Sequence, residues 1–211
     1  MLNLYVPAHY HHSKTTIMKN EAPTFRVDHA KLLQAVAEAS TNDHSRAWHA
    51  VACSLLMANM NSLPLDWAAR QSAGGANMNF YIVKQLPVLP PLAYLQKPFP
   101  TAAPYIALVM PRILELTYTA TEMSSYAKDL GYDGPPFTWD DDRRLALRCE
   151  LDAIHAYLYH IDRGELAWIL DAPPPGISFP ALKGQEGERY GEYRTQQLVL
   201  EAYDRIAAGS L

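Results

Sequence analysis

Apolar positions recur at helical spacing through most of the chain. Over residues 28–40, Leu32, Leu33, Val36 and Ala37 fall at i, i+1, i+4 and i+5, one stripe of a 3.6-residue period, with Asp28 placed to cap it. A more apolar helix is predicted over residues 45–60. After Asn61 and Ser62 a short one follows over 63–70, opened by Pro64 at a first-turn position where a missing N–H costs nothing. The clearest helical pattern is residues 140–159, where Leu147, Leu151, Ile154 and Leu158 align and Asp140, Asp141 and Asp142 suit the positive end of the helix dipole. Further helices are expected over 111–116, opened by Pro111; over 119–130, stopped by Gly131; over 163–170, ended by the Pro173-Pro174-Pro175-Gly176 turn; and over 193–208, with Leu198, Ala202 and Ile206 aligned.

One stretch breaks this pattern. Residues 77–86 (NMNFYIVKQL) are rich in aromatic and β-branched side chains, with Phe80, Ile82 and Lys84 on one side and Tyr81, Val83 and Gln85 on the other. That alternation predicts a strand, entered from a Gly74-Gly75 turn and ended by Pro87, Pro90 and Pro91, each of which removes a ladder donor. Residues 1–27 show no sustained periodicity and read as an extended or strand-rich lead-in. The expected fold class is therefore α+β, mainly α: a small β-containing lobe over 1–90, a Pro-rich linker over 91–103 and a helical lobe over 104–211.

Composition narrows the class. With 211 residues, 49% hydrophobic and 19% charged, the chain has enough apolar mass for one soluble globular domain or two small ones. The apolar run Val51 to Leu65 is interrupted by Asn, Ser and Pro, short of the roughly 20 residues of a membrane helix. The start carries no basic region or small-residue cleavage site, so a cytoplasmic location and no membrane contact are expected. Cys53 and Cys149 sit inside apolar segments without metal-type spacing and read as buried free thiols. The net charge of −4 is uneven: residues 1–100 hold 8 Lys/Arg against 5 Asp/Glu, and residues 101–211 hold 10 against 17. Six of the eight histidines also lie in the first half, which is where a polyanion contact belongs.

Catalytic patterns are missing from the chain. Asp133-Gly134-Pro135-Pro136-Phe137 approaches the Asp-Pro-Pro-Phe loop of amino-group methyltransferases, but an extra Gly separates the acid from the prolines. No Gly-x-Gly is present to hold a methyl donor. Glu-x-Lys and Asp-x-Lys nuclease spacings, a phosphate-binding loop, Gly-x-Ser-x-Gly and His-Glu-x-x-His do not occur. His9, His11 and His12 lack a nearby Cys or carboxylate to complete a metal site and read as a polar strand face. His155 and His160 read as packing residues beside Tyr157 and Tyr159. No cofactor and no metal is expected.

Two sets of blocks nevertheless resemble one family. The first set is Ala58-Asn59-Met60-Asn61-Ser62, Leu65-Asp66-Trp67-Ala68-Ala69-Arg70-Gln71, Gly74-Gly75 and Asn79-Phe80-Tyr81-Ile82-Val83-Lys84-Gln85-Leu86-Pro87. The second runs from Pro111-Arg112-Ile113-Leu114-Glu115-Leu116-Thr117-Tyr118-Thr119-Ala120 through Asp129-Leu130-Gly131-Tyr132, Gly134-Pro135-Pro136-Phe137 and Arg148-Cys149-Glu150-Leu151-Asp152-Ala153 to Tyr190-Gly191-Glu192-Tyr193-Arg194-Thr195. Over residues 46–207 the chain resembles the C-terminal end of large N-6 adenine DNA methyltransferases of type IIG restriction-modification and phage-defence systems. There this region closes the target-recognition domain and adds a helical segment.

The resemblance implies a DNA-recognition or assembly module rather than an enzyme. Duplex recognition needs Lys and Arg for phosphates and Arg, Asn or Gln at base edges; Arg70, Gln71, Asn77, Asn79 and Lys84, around the Gly-Gly turn and the predicted strand, are the candidates. In the acidic half, Arg143, Arg144, Arg148, Glu150, Asp152, Glu192 and Arg194 can pair across helices, and Tyr157, Trp168, Tyr190, Tyr193 and Tyr203 suit an interface. The expected partners are double-stranded DNA, a methyltransferase or restriction subunit, or a second copy of the chain. The alternative is a helical protein-interaction module that does not touch DNA.

Overall fold

The computed structural model describes residues 46–72 and 78–211, and among them every regular element is a helix. The predicted strand is not one. Asn79 Oδ1 accepts the Ile82 N–H at 3.0 Å and caps a single helical turn, Phe80–Val83, as an Asn at an N-cap does. Phe80 and Tyr81 are both exposed, at 73% and 71%, so consecutive side chains do not alternate between a core and solvent. An α+β fold with a β-containing lobe to residue 90 is thus corrected to an all-helical arrangement among the described residues. The lead-in 1–27, the helix expected over 28–40, the histidine cluster, the Gly74-Gly75 turn and Asn77 lie outside them.

In chain order the helices are α1 (Arg46–Met60), α2 (Leu63–Ser72), α3 (Phe80–Val83), α4 (Tyr105–Thr117), α5 (Ser124–Asp129), α6 (Asp141–Leu158), α7 (Arg163–Leu170), α8 (Pro180–Tyr190) and α9 (Arg194–Ala207). Short 3-10 turns lie over Pro91–Leu95 and Thr121–Met123. The longest, α6, is central: α9, α4 and α2 pack on it, while α1 packs on α4. Asp140 caps α6 by accepting the Arg143 N–H at 2.7 Å. A capping box between Asp162 and Glu165 opens α7. Ile106, Val109, Met110, Ile113 and Leu114 of α4, Ile154 of α6 and Val199, Ala202 and Ile206 of α9 are buried in one cluster with Val51 and Leu55 of α1. Each large aliphatic in it contributes about 1.5–3 kcal/mol.

Three boundaries differ from the sequence pattern. Pro111 sits inside α4 rather than opening it. An internal proline costs about 3 kcal/mol, and the helix persists through it because the buried apolar positions on both sides outweigh that cost. The helix expected over 119–130 is a 3-10 turn followed by α5, with Gly131 beyond it at φ 85°, a conformation that favours glycine. Helix α8 has no apolar stripe and buries only Glu186. That carboxylate accepts the Thr195 N–H at 2.8 Å and the Thr195 hydroxyl at 2.6 Å, so it serves the start of α9.

The segment before the Pro91–Leu95 turn is held by polar contacts. Buried Asn59 accepts the Leu89 N–H through Oδ1 at 2.9 Å and donates through Nδ2 to the Tyr159 hydroxyl at 2.8 Å. The hydroxyl in turn donates to the Pro87 carbonyl at 2.8 Å. Asn59→Leu keeps the volume and removes both functions. We expect a loss of about 1–3 kcal/mol in urea unfolding, since the half-buried Leu89 amide loses its acceptor; a loss below about 0.5 kcal/mol would show that these bonds do not hold the segment.

Candidate functional site

The residues chosen for DNA contact are spread over α2 and α3 and are mostly engaged. Arg70 donates through Nε and Nη2 to Asp66 at 3.2 and 3.0 Å and lies over the Phe179 ring at 5.0 Å. Gln71 reaches the Trp67 carbonyl at 3.5 Å. Asn79 spends its side-chain oxygen on capping α3, and Lys84 Nζ lies 4.5 Å above the Phe80 ring. Arg70 lines a cleft of about 480 Å³ together with Ile177 and Lys183, and Lys183 Nζ bonds both oxygens of Asp171, at 2.8 and 2.6 Å. A phosphate entering this cleft meets two cations that each already hold a carboxylate. Exposed pairs of this kind are worth only about 0.2–1 kcal/mol, so exchange is affordable.

The charged residues concentrated on α6 lie deeper. Glu150 accepts from Arg112 Nε of α4 at 2.7 Å and from Arg205 Nη2 of α9 at 2.9 Å, tying three helices together. Burial lowers the Arg112 pKa, opposed by Glu150. Two residues on, Asp152 is buried and accepts the Leu63 N–H at 2.7 Å. Burial pushes its carboxyl up to about 7, against the opposing pull of that N–H and of Arg148. His155, fully buried, contacts the Leu151 carbonyl through Nδ1 at 2.7 Å and the Tyr94 hydroxyl through Nε2 at 3.0 Å. A carbonyl only accepts, so Nδ1 carries the proton and Nε2 accepts from Tyr94. Burial holds this imidazole neutral, with its pKa lowered to about 4.

Between α1, α4 and α6 lies a cavity of about 90 Å³. Its apolar wall is Met57, Ala58, Ile113, Leu116 and Leu151, and its charged end is Arg144, Arg148 and Asp152. Met57 and Arg144 apart, these residues come from three stretches far apart in the chain: 58–62, 111–120 and 148–153. The remaining motif, Asp133 to Phe137, is packed as structure. Phe137 stacks on Tyr132 at 5.3 Å and meets Tyr118 edge-on, while the Tyr132 hydroxyl donates to the Pro135 carbonyl at 3.1 Å. A side chain at Gly134 would fall 2.2 Å from the Tyr132 hydroxyl.

The outer face of α1 carries His49 followed by apolar side chains. Cys53, Leu56 and Met60, at i, i+3 and i+7, are exposed, which corrects the expectation of a buried Cys53; Cys149 is buried as expected. Phe80, Tyr81 and Leu92 are also exposed. Of the aromatic residues expected at an interface, Tyr157 and Tyr203 stack on each other at 4.3 Å and Tyr193 is buried, whereas Trp168 and Tyr190 remain exposed. Sequence pattern marked Glu150 and Asp152 as pairing residues. It had no means of naming Arg112 and Arg205, whose partners lie 38 and 55 positions away.

Among the described residues no helix is long and apolar enough to cross a membrane, and no group of three or more His, Cys, Asp or Glu is placed to hold a metal ion. Comparison with known protein families, with characterised proteins and with solved structures finds no match to this chain.

Proposed function

We propose that the chain is a non-catalytic assembly module of a restriction-modification or phage-defence system, docking on a methyltransferase or restriction subunit. The observation that carries this reading is the exposed apolar set Leu56, Met60, Phe80 and Tyr81, at 48%, 41%, 73% and 71%, on a protein whose arginines are largely engaged internally. Covering such side chains contributes about 1.5–3 kcal/mol each, whereas the excess of acids over residues 101–211 opposes a polyanion. The resemblance to the end of large methyltransferases supplies the class of partner. Target recognition in DNA is the second reading, favoured by one observation: Arg70 and Lys183 line the same cleft.

Salt dependence separates the two. Phosphate contacts release counterions, so DNA binding falls about 10³-fold or more between 50 and 200 mM salt when six or more phosphates are engaged; an apolar interface changes little. The full chain is titrated into a random-sequence duplex pool by fluorescence anisotropy, and its association with an N-6 adenine methyltransferase subunit is followed by sedimentation. We expect salt-insensitive association that Leu56→Glu with Phe80→Glu weakens at least tenfold. Steeply salt-dependent duplex binding that Arg70→Ala reduces would replace assembly with recognition.

A further inference from the structure

We propose that residues 28–40 fold back as a helix antiparallel to α1 and cover its outer stripe His49, Cys53, Leu56 and Met60, so that a docking subunit has to displace them. The inference deepens the assembly reading and rests on it only for that competition, because Leu56 and Met60 belong to the surface offered to a partner.

The stripe on α1 has a defined geometry. His49 and Cys53 are exposed and Leu56 and Met60 are 48% and 41% exposed, whereas Val51 and Leu55 on the inner side are buried. The four exposed positions step by four, three and four residues, the seam along which one helix takes another. Residues 28–40 lie outside the described residues, and their sequence carries a matching seam. His29, Leu33, Val36 and Ser40 also step by four, three and four, with Leu32 and Ala37 beside them, while Lys31, Gln34 and Glu38 fall on the opposite side. A helix of this length is marginal in water by itself, so its apolar side needs cover.

This spacing reads the same from either end. An antiparallel pair therefore sets Ser40 beside His49, Val36 beside Cys53, Leu33 beside Leu56 and His29 beside Met60. Polar groups meet near the connection and apolar ones in the middle. That register moves residue 40 along α1 by three residues from its start, about 4.5 Å. With helix axes about 8–10 Å apart, the connection spans roughly 10 Å, and residues 41–45 reach further at about 3.3 Å each. Thr-Asn-Asp-His-Ser has the composition of a turn and the length that joins helical hairpins. So short a tether gives an effective concentration on the order of millimolar, which selects the chain's own segment over a second copy at micromolar concentration.

Cys53 sits inside the stripe and reports on its cover, since Cys149 is buried and burial raises the pKa of its thiol. The full chain and glutathione are reacted with N-ethylmaleimide at one pH, and mass spectrometry scores only protein in which Cys149 stays unlabelled. We expect Cys53 to react at least tenfold more slowly than glutathione, at a rate unchanged between about 1 and 100 µM protein. Leu33→Glu with Val36→Glu should raise that rate at least fivefold and tighten association with an N-6 adenine methyltransferase subunit at least threefold in sedimentation. Lys31→Glu with Gln34→Glu, on the outer side, should change neither. Cys53 as reactive as glutathione, a rate that the inner charges leave unaltered, or protection lost on dilution, which assigns the cover to a second copy, would overturn the proposal. Association that the inner charges leave unaltered would remove the competition. Protection released by those charges without any association keeps the cover and removes the assembly reading; association by a chain with unprotected Cys53 does the reverse.

Discussion

Glu150→Ala is expected to destabilise the protein by about 3–5 kcal/mol, the cost of removing one partner from a buried ion pair. For a chain of this length that corresponds to a fall in Tm of roughly 10 °C. The reason lies in what is left behind. Arg112 would keep its bond to the Leu108 carbonyl at 2.6 Å but lose the carboxylate that offsets its burial, and α9 would lose its Arg205 tie to α6. Arg205 is half exposed and can turn to solvent, so the penalty should fall mainly on Arg112. Replacing Arg112 and Glu150 together by methionine should therefore recover at least half of the loss, because a buried pair exchanged for apolar groups is often near neutral. Calorimetry of the three variants tests this. If the double substitution is as damaging as Glu150→Ala, the cost arises from packing rather than from an abandoned charge.

The second large effect concerns pH, and two buried groups on α6 oppose each other. Asp152 has a folded pKa of about 7 against 3.8, so between these values the folded state holds a proton that the unfolded chain releases. Its contribution is greatest below the lower value and is lost as pH rises toward 7. His155 has a folded pKa of about 4 against 6.5, so the unfolded chain takes up the proton first and stability is lost as pH falls from 6.5 to 4. Each bound-proton difference changes stability by about 1.4 kcal/mol per pH unit, and in the shared window the two slopes have opposite sign. Urea unfolding of the natural chain should therefore show little slope from these groups between pH 4.5 and 6. Asp152→Asn, which keeps an acceptor for the Leu63 N–H, should make stability fall by about 2 kcal/mol from pH 6 to 4.5. His155→Gln should make it rise by about the same amount over that interval. Parallel profiles for both variants would show that these groups do not titrate as their burial requires.

Much of the helical frame is readable from spacing alone. The α6 pattern of Leu147, Leu151, Ile154 and Leu158 and the acids before it locate that helix within a residue of its ends, and the helix expected over 163–170 ahead of the proline turn coincides with α7. Residues 77–86 mislead because aromatic and β-branched composition is a preference for a half-buried pleated surface. The cap from Asn79 and the prolines from 87 onward leave those residues one exposed helical turn. Pro111 misleads in the opposite sense, because a local cost is visible in sequence and the tertiary burial that overrides it is not. Helix α8 is hidden for want of apolar positions, as its one buried side chain is a carboxylate serving another helix. The same limit applies to the cavity: its wall is assembled from three helices, and no single stretch contains its shape.

The order of elements along the chain has a bearing on how the protein is made. Helix α9 supplies Val199, Ala202 and Ile206 to the core and packs more extensively on α6 than any other helix does, yet it is the last described element in the chain. During synthesis, α6 emerges after α4 and α2 but well before α9, so the side of α6 that α9 covers stays bare until about residue 207 has cleared the ribosome. A chain stopped before α9 is therefore expected to leave that apolar side in water, the kind of surface that makes incomplete chains prone to aggregate.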